Sequence, residues 1–334
     1  MATTVRDRWP EAEVTLLPLA DGGEGTLDVF SFGAATRTAQ VSDPLGRPIL
    51  AQFAVQGETA VIESAQAVGL NLLSPDERNP LKASSRGLGE LLLAAWHDGC
   101  RHFIIGLGGT ATCDGGKGML AVPGIAALKG AQFELLSDVD APFIGPKGAA
   151  RVFAPQKGAS PQGVEVLEQL MLAQAEKLLE ETGVDVSHLP GAGAAGGLGG
   201  AFIAYFGARL YPGIDRVLEL LHFDEQLKDA TMVITGEGKS DAQTLMGKVP
   251  YGVLRRVREA GYMIPVALVS GRIEDRPALE RAGFGPIVEV SPRNLPLQKA
   301  MEPETCRNNL RNAVLGLSTF CAGGSGNAIM PQNA

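Results

Sequence analysis

The chain has 334 residues, a formal net charge of −8 and a sequence pI near 5.2, enough for about two domains of ordinary size. It holds no Lys/Arg runs with interleaved aromatics and no apolar stretch long enough to cross a bilayer, and MATTVRDRWPEAE at its start has no signal-peptide core. Nucleic acid and membrane are therefore excluded as expected partners, which leaves a cytoplasmic protein acting on a small molecule.

The four cysteines, Cys100, Cys113, Cys306 and Cys321, are widely spaced and form no zinc-type cluster, as expected of reduced thiols. The 43 glycines exceed the roughly 7% usual share and concentrate in a few turns.

In chain order, Val14 to Gly23 (VTLLPLADGG) reads as a strand ending in a turn, followed by a short helix from Glu24 to Phe32. TRTAQVSD, PILAQFAVQG and TAVIESA are extended runs separated by Pro44, Gly46 and Gly57, the pattern of an antiparallel meander. SSRGLGELLLAAWHDG then places Leu88, Leu91, Leu92, Ala95 and Trp96 at helical spacing, and RHFIIG supplies a strand. PQGVEVLEQLMLAQAEKLLEETG is an amphipathic helix with Pro161 at its start and Gly183 past its end. PGAGAAGGLGG precedes a second apolar helix.

The last third alternates TMVITGEG, VPYGVLRRVREAG, IPVALVSGRI, RPALERAG, IVEVS and a closing helix around Cys306 to Leu317, a strand–helix series that predicts a parallel sheet. The expected fold is α/β in two lobes. Residues 1–36 with 222–320 would form a discontinuous Rossmann-like parallel-sheet domain, 37–221 an inserted α/β domain, and 321–334 a disordered tail.

GLGGTATCDGG (Gly106 to Gly116) poses a chemical question, because glycine turns attract anions through backbone N–H groups whereas Asp114 repels them. One reading is a phosphate cradle with Thr110 and Thr112 as extra donors and Asp114 holding a metal ion; the other is a tight turn in which glycine only permits positive φ. PGAGAAGGLGG contains Gly191, Gly193 and Gly196 in a GxGxxG spacing, but VSHLP before it is a poor strand. That disfavours a nicotinamide-dependent oxidoreductase, leaving anion binding at a helix start or close packing.

Asp21 and Glu24 in LADGGEGT lie at a strand's carboxyl end, where ligands of open α/β sheets collect. Asp138 and Asp140 in LSDVDAP are two apart, so an extended backbone points both the same way, as metal ligands or as partners in a salt-bridged loop. TGEGKSDAQTLMGKVP carries Glu237, Lys239, Asp241, Gln243, Thr244 and Lys248 directly after a strand. No Walker A, HExxH or GxSxG motif is present.

Taken together, LPLADGGEGT, NPLKASSRGLGELL, GLGGTATCDGGKGML, SDVDAPFIGPKGAARVFAPQKGAS, PGAGAAGGLGGAF and VITGEGKSDAQTLMGK resemble the bacterial type I glycerate kinase family, in residues and in order. The resemblance covers about residues 10–275 and implies ATP- and Mg²⁺-dependent transfer of a phosphoryl group to D-glycerate, giving 2-phosphoglycerate, by a monomer or homodimer of glycerate and glyoxylate metabolism. Two departures stand out. Family members begin upstream with a strand and Asp-Ser-Phe-Lys-Gly, so an unpaired sheet position and a catalytically inactive nucleotide- or glycerate-binding homologue become the alternative expectation. Ala141-Pro142 also stands where Asn-Pro is common.

Phosphoryl transfer rests on positioning and charge neutralisation. On the resemblance, Gly108, Gly109, Thr110 and Thr112 with Gly193, Gly196 and Gly197 are expected at the ATP phosphates, and Asp138 and Asp140 at Mg²⁺ with Asp114 as a rival. Lys239 or Lys248 would offset transition-state charge and Asp241 would act as base. Asp21, Glu24, Ser85, Arg86 and Glu237 are the expected substrate contacts, with Arg86 as carboxylate anchor.

Overall fold

The computed structural model describes residues 1–23, 25–31, 34–319 and 327–331. Its strands are β1 (Val14–Leu17), β2 (Ala35–Ser42), β3 (Pro48–Gln56), β4 (Thr59–Glu63), β5 (His102–Gly106), β6 (Gln132–Leu136), β7 (Arg209–Tyr211), β8 (Ala230–Ser240), β9 (Val266–Ile273), β10 (Ile287–Glu289) and β11 (Asn327–Pro331). The chain divides into a terminal unit, Met1–Leu19 with Ile214–Ala334, and a central unit, Ala20–Gly213.

The sheet of the central unit runs β2-β3-β4-β5-β6-β7. β2, β3 and β4 pair antiparallel, as the three extended runs predict, and Gly57 at φ +59° turns the chain between β3 and β4. From β4 onward the pairing is parallel, and the last four residues of β5 are buried, as parallel strands covered on both faces must be. β6 and β7, five and three residues long, carry too few positions for a period to be read from sequence.

Helix Arg86–His97 turns Leu88, Leu91, Leu92 and Ala95 fully inward, the stripe that the i, i+3, i+4 spacing dictates. Helix Pro161–Thr182 begins where the Ser160 hydroxyl accepts the Gly163 N–H and Pro161 fixes the first turn, and ends at Gly183 with φ +75°. Phe133 of β6 stacks between Phe103 of β5 and Phe206, with ring centroids 4.8 Å away on each side. This aromatic column holds the parallel strands whose carboxyl ends carry the candidate site.

The terminal unit is a parallel sheet in the order β1-β11-β8-β9-β10. Alternation along β8 sends Val233 into the cluster with Leu254, Val257 and Leu268, and Met232 and Ile234 into the cluster with Val5, Val269 and Val314. One expectation is corrected here. Residues 327–331 of the expected disordered tail form β11, while 321–326 and 332–334 lie outside the described residues. β11 pairs with β1 on one side and β8 on the other. A strand there satisfies two backbone ladders at once.

Among the described residues, no helix is long and apolar enough to cross a membrane.

Candidate active site

In the central unit, β5 delivers the chain at Gly106 into the Leu107–Thr112 turn. A Cβ on Gly106 would lie 2.8 Å from the Gly22 oxygen, and one on Gly108 would lie 2.5 Å from the Gly23 Cα. Close passage of the Gly22–Gly23 segment therefore demands glycine at both. Gly109 has φ +73°, and its carbonyl accepts the Leu70 N–H at 2.8 Å. Gly108, Gly109 and Thr110 line one cleft of about 320 Å³ together with Ser137, Val139 and Lys157. Thr112 is buried and its hydroxyl has no partner among the described residues.

Asp114 and Ser85 are bonded to each other. The Asp114 carboxylate accepts the Ser85 N–H at 2.9 Å, the Ser85 hydroxyl at 2.8 Å, and the Gly116 and Gly118 N–H groups at 3.1 Å each. The buried Ser85 hydroxyl also accepts the Met119 N–H at 2.9 Å. A carboxylate saturated by four donors has little left for a metal ion, so the negative charge in the glycine turn is balanced by backbone N–H groups and a hydroxyl. Arg86, half exposed, pairs with Glu90 at 2.8 Å.

The second glycine stretch is a packing device. Within helix Ala194–Phe206, Ala195, Gly196 and Gly197 have φ of 54°, 70° and 92°. A Cβ on Gly196 would lie 2.1 Å from the Thr112 oxygen, one on Gly197 would lie 2.6 Å from the Met171 Cε, and one on Gly193 would lie 2.2 Å from the Pro142 oxygen. Close contact alone accounts for glycine at all three. Gly191, the first glycine of the GxGxxG spacing, is as tightly placed, with a Cβ there 2.1 Å from the Leu210 Cδ2.

Asp138 and Asp140 follow β6 and are exposed, and Asp138 accepts the Gly213 N–H at 2.8 Å. No cluster of three or more His, Cys, Asp or Glu suited to a metal occurs among the described residues. Two exposed carboxylates beside a cleft still suit Mg²⁺, which keeps several waters and takes its other oxygens from phosphate. The Asp21 carboxylate caps its own turn by accepting the Gly23 N–H at 3.2 Å; Glu24 lies outside the described residues.

Sequence reasoning missed the buried charges of this unit, Glu63 and Lys157 among them. Glu63, at the carboxyl end of β4, accepts the Leu27 N–H at 2.6 Å and so ties the Asp21–Thr26 turn to the sheet; burial pushes its carboxyl above the usual range. Lys157 donates to the Thr110 hydroxyl at 3.0 Å and to the Thr112 carbonyl at 2.7 Å. Neither stands in a spacing pattern; only the Pro155–Gly158 punctuation around Lys157 hinted at a fixed position.

In the terminal unit, the polar stretch is not a loop, because β8 runs on through Ser240 and pairs Glu237 with Ser270 and Lys239 with Arg272. Gly236 and Gly271 permit this: a Cβ on either would meet the neighbouring strand's carbonyl oxygen, at 2.0 and 2.5 Å. Glu237 accepts the Ser240 hydroxyl at 2.9 Å and the Thr244 hydroxyl at 2.6 Å, with Lys248 3.6 Å away. Lys239 lies 3.3 Å from Asp241 and 3.0 Å from Glu274. The Gln243 N–H first, and then Lys239, hold the Asp241 carboxyl below its ordinary value. Glu237, Lys239, Asp241 and Lys248 thus form one linked network.

The glycerate kinase family profile matches residues 1–129 and 124–319. A glycerate kinase of Halalkalibacterium halodurans is 38% identical, over 88% of this chain and 86% of its own length. A glycerate 2-kinase of Escherichia coli K12 is 38% identical, over 81% and 79%. A crystal structure from Salmonella typhimurium LT2, titled for glycerate kinase 2, superposes with a TM-score of 0.80 at 33% identity, covering 96% of this chain and 92% of that one.

Proposed function

We propose, because the chain belongs to the glycerate kinase family, that it is a phosphotransferase moving the γ-phosphoryl group of ATP to the 2-hydroxyl of D-glycerate. In that transfer the bond between the γ-phosphorus and the β,γ-bridging oxygen breaks, a bond from the glycerate oxygen to phosphorus forms, and the hydroxyl proton passes to a carboxylate. The observation that carries the reading is the cleft at the carboxyl end of β5, where Gly108, Gly109 and Thr110 supply a glycine turn of the kind that cradles phosphate.

Asp138 and Asp140 are the residues that would hold Mg²⁺, since both are exposed residues just after β6, and Ser137 and Val139 beside them line the cleft. An ion held there would supply charge neutralisation at the phosphate. Gly193, Gly196 and Gly197 act as the scaffold of this site, and Asp114 and Ser85 as its internal tie. Lys239 and Lys248 carry the cationic role in the terminal unit, and Glu237 fixes the geometry through Ser240 and Thr244. Asp241 takes the hydroxyl proton. A carboxylate of lowered proton affinity suits a loose transition state, in which the hydroxyl becomes acidic only late. Arg86 and Asp21 are the candidates for contact with glycerate in the central unit.

The test is ADP release with D-glycerate, ATP and Mg²⁺, with the product assigned by phosphorus NMR. Formation of 2-phosphoglycerate supports the reading. Formation of the 3-phospho isomer would overturn the regiochemistry. Calorimetric binding of glycerate or ATP without turnover would make the chain a binding homologue.

A further inference from the structure

Lys157 is a buried charge for which the proposed transfer has so far no role. It is 4% exposed, on a short turn of helix (Pro155–Lys157) that ends at Gly158 with φ +96°. A Cβ on Gly158 would lie 2.3 Å from the Arg78 oxygen, so the backbone beside Lys157 is fixed in place.

An ammonium has three N–H donors, and two of these meet the Thr110 hydroxyl and the Thr112 carbonyl. No carboxylate forms an ion pair with it among the described residues. Charges removed from water are ordinarily paired, so this ammonium is held against its own solvation. Burial lowers its pKa to about 8, only partly opposed by Cys113 and Asp114 nearby. Its two acceptors both belong to the glycine turn, and it lines the same cleft as Gly108, Gly109 and Thr110.

We propose that Lys157 is the cationic anchor for an oxyanion bound in the cleft over the Leu107–Thr112 turn, with its remaining N–H as the donor. The oxyanion is either a phosphoryl oxygen of the nucleotide or the carboxylate of the acceptor, and the proposal rests on the kinase reading only for the identity of that ligand. Lys157 also clamps Thr110, so ligand charge and turn geometry are coupled through one side chain.

The experiment uses the full chain, its Lys157→Met variant, and sulfate as a probe whose charge does not change with pH. Parent sulfate affinity, measured by calorimetry, is expected to fall at least about tenfold between about pH 7 and 9.5, as the ammonium loses its proton. The variant is expected to bind sulfate at least about tenfold more weakly at pH 7 while its melting temperature does not fall, because an unpaired buried charge has been removed. Parallel titrations assign the source: weakened ADP binding marks a phosphate anchor, and weakened D-glycerate binding marks a carboxylate anchor.

A lowered melting temperature in the variant with sulfate, ADP and glycerate affinities intact would overturn the proposal and leave Lys157 a structural clamp. A parent whose sulfate affinity is unchanged across that pH range would overturn it without any variant. A parent that binds sulfate as expected but forms no phosphoglycerate would remove the kinase reading and leave the anchor standing.

Discussion

The glycine turn of the central unit and the polar end of β8 in the terminal unit both cluster charge at the carboxyl end of a parallel strand, yet they handle it in opposite ways. In the turn, charges are withdrawn from solvent and met by backbone groups and hydroxyls: Asp114 by three N–H groups and the Ser85 hydroxyl, Lys157 by a carbonyl and the Thr110 hydroxyl. On β8 the charges face one another, Lys239 between Asp241 and Glu274 and Lys248 beside Glu237, with both lysines substantially exposed. Backbone groups have fixed positions, so the Asp114 carboxylate, met by three of them, is held rigidly and is sensitive to substitution. Exposed ion pairs are exchangeable with water and contribute little to stability.

The largest stability loss is therefore expected from Asp114→Ala, which strands four donors; urea denaturation should register about 3–5 kcal/mol. A loss below about 1 kcal/mol would mean that solvent replaces the carboxylate and that the turn is not rigid. Next comes Gly196→Ala, with positive φ and a Cβ 2.1 Å from the Thr112 oxygen. It is expected to destabilise by about 2–4 kcal/mol, and it tests whether the second glycine stretch is scaffold. Wild-type stability in this variant would return these glycines to a ligand-binding role.

Glu63→Gln probes another buried charge of the central unit by pH. The Glu63 pKa is raised on folding, so the native state binds more protons than the unfolded chain as pH rises above the ordinary carboxyl value. Stability from this group is consequently lost as pH rises from about 4.5 through the folded value. The glutamine variant, which keeps an oxygen for the Leu27 N–H, should flatten that decline in thermal melts recorded from about pH 4 to 8. An unchanged slope would mean that Glu63 is not held in its raised state.

The smallest stability effect is expected for Lys239→Met on β8 and Asp241→Asn just past its end, which should melt with the parent while turnover falls at least about tenfold. Retained turnover would remove those two from the proposed chemistry. Loss of stability instead would mean that the β8 network carries folding energy after all.

Much of the fold was legible in local signals. The meander, the stripe of Leu88, Leu91, Leu92 and Ala95, the Pro161 and Gly183 helix limits and the parallel series of the last third all depend on neighbours a few residues apart. The candidate site was legible only in part. Gly108, Gly109 and Thr110 do share a cleft, but Asp114 looked like a metal ligand because its partner Ser85 lies 29 residues away, and Lys157 went unremarked because Thr110 lies 47 residues away.

Sequence by itself determined the α/β class, the family and the two stretches where charge gathers, because periodicity, turn residues and motif order are properties of contiguous chain. Tertiary structure alone decided which charges are buried, that β8 carries Glu237 and Lys239 as strand, that β11 lies between β1 and β8, and that a buried lysine is bonded to a glycine turn. Burial and pairing depend on which distant segments come together, and that distance in sequence is what local pattern cannot encode.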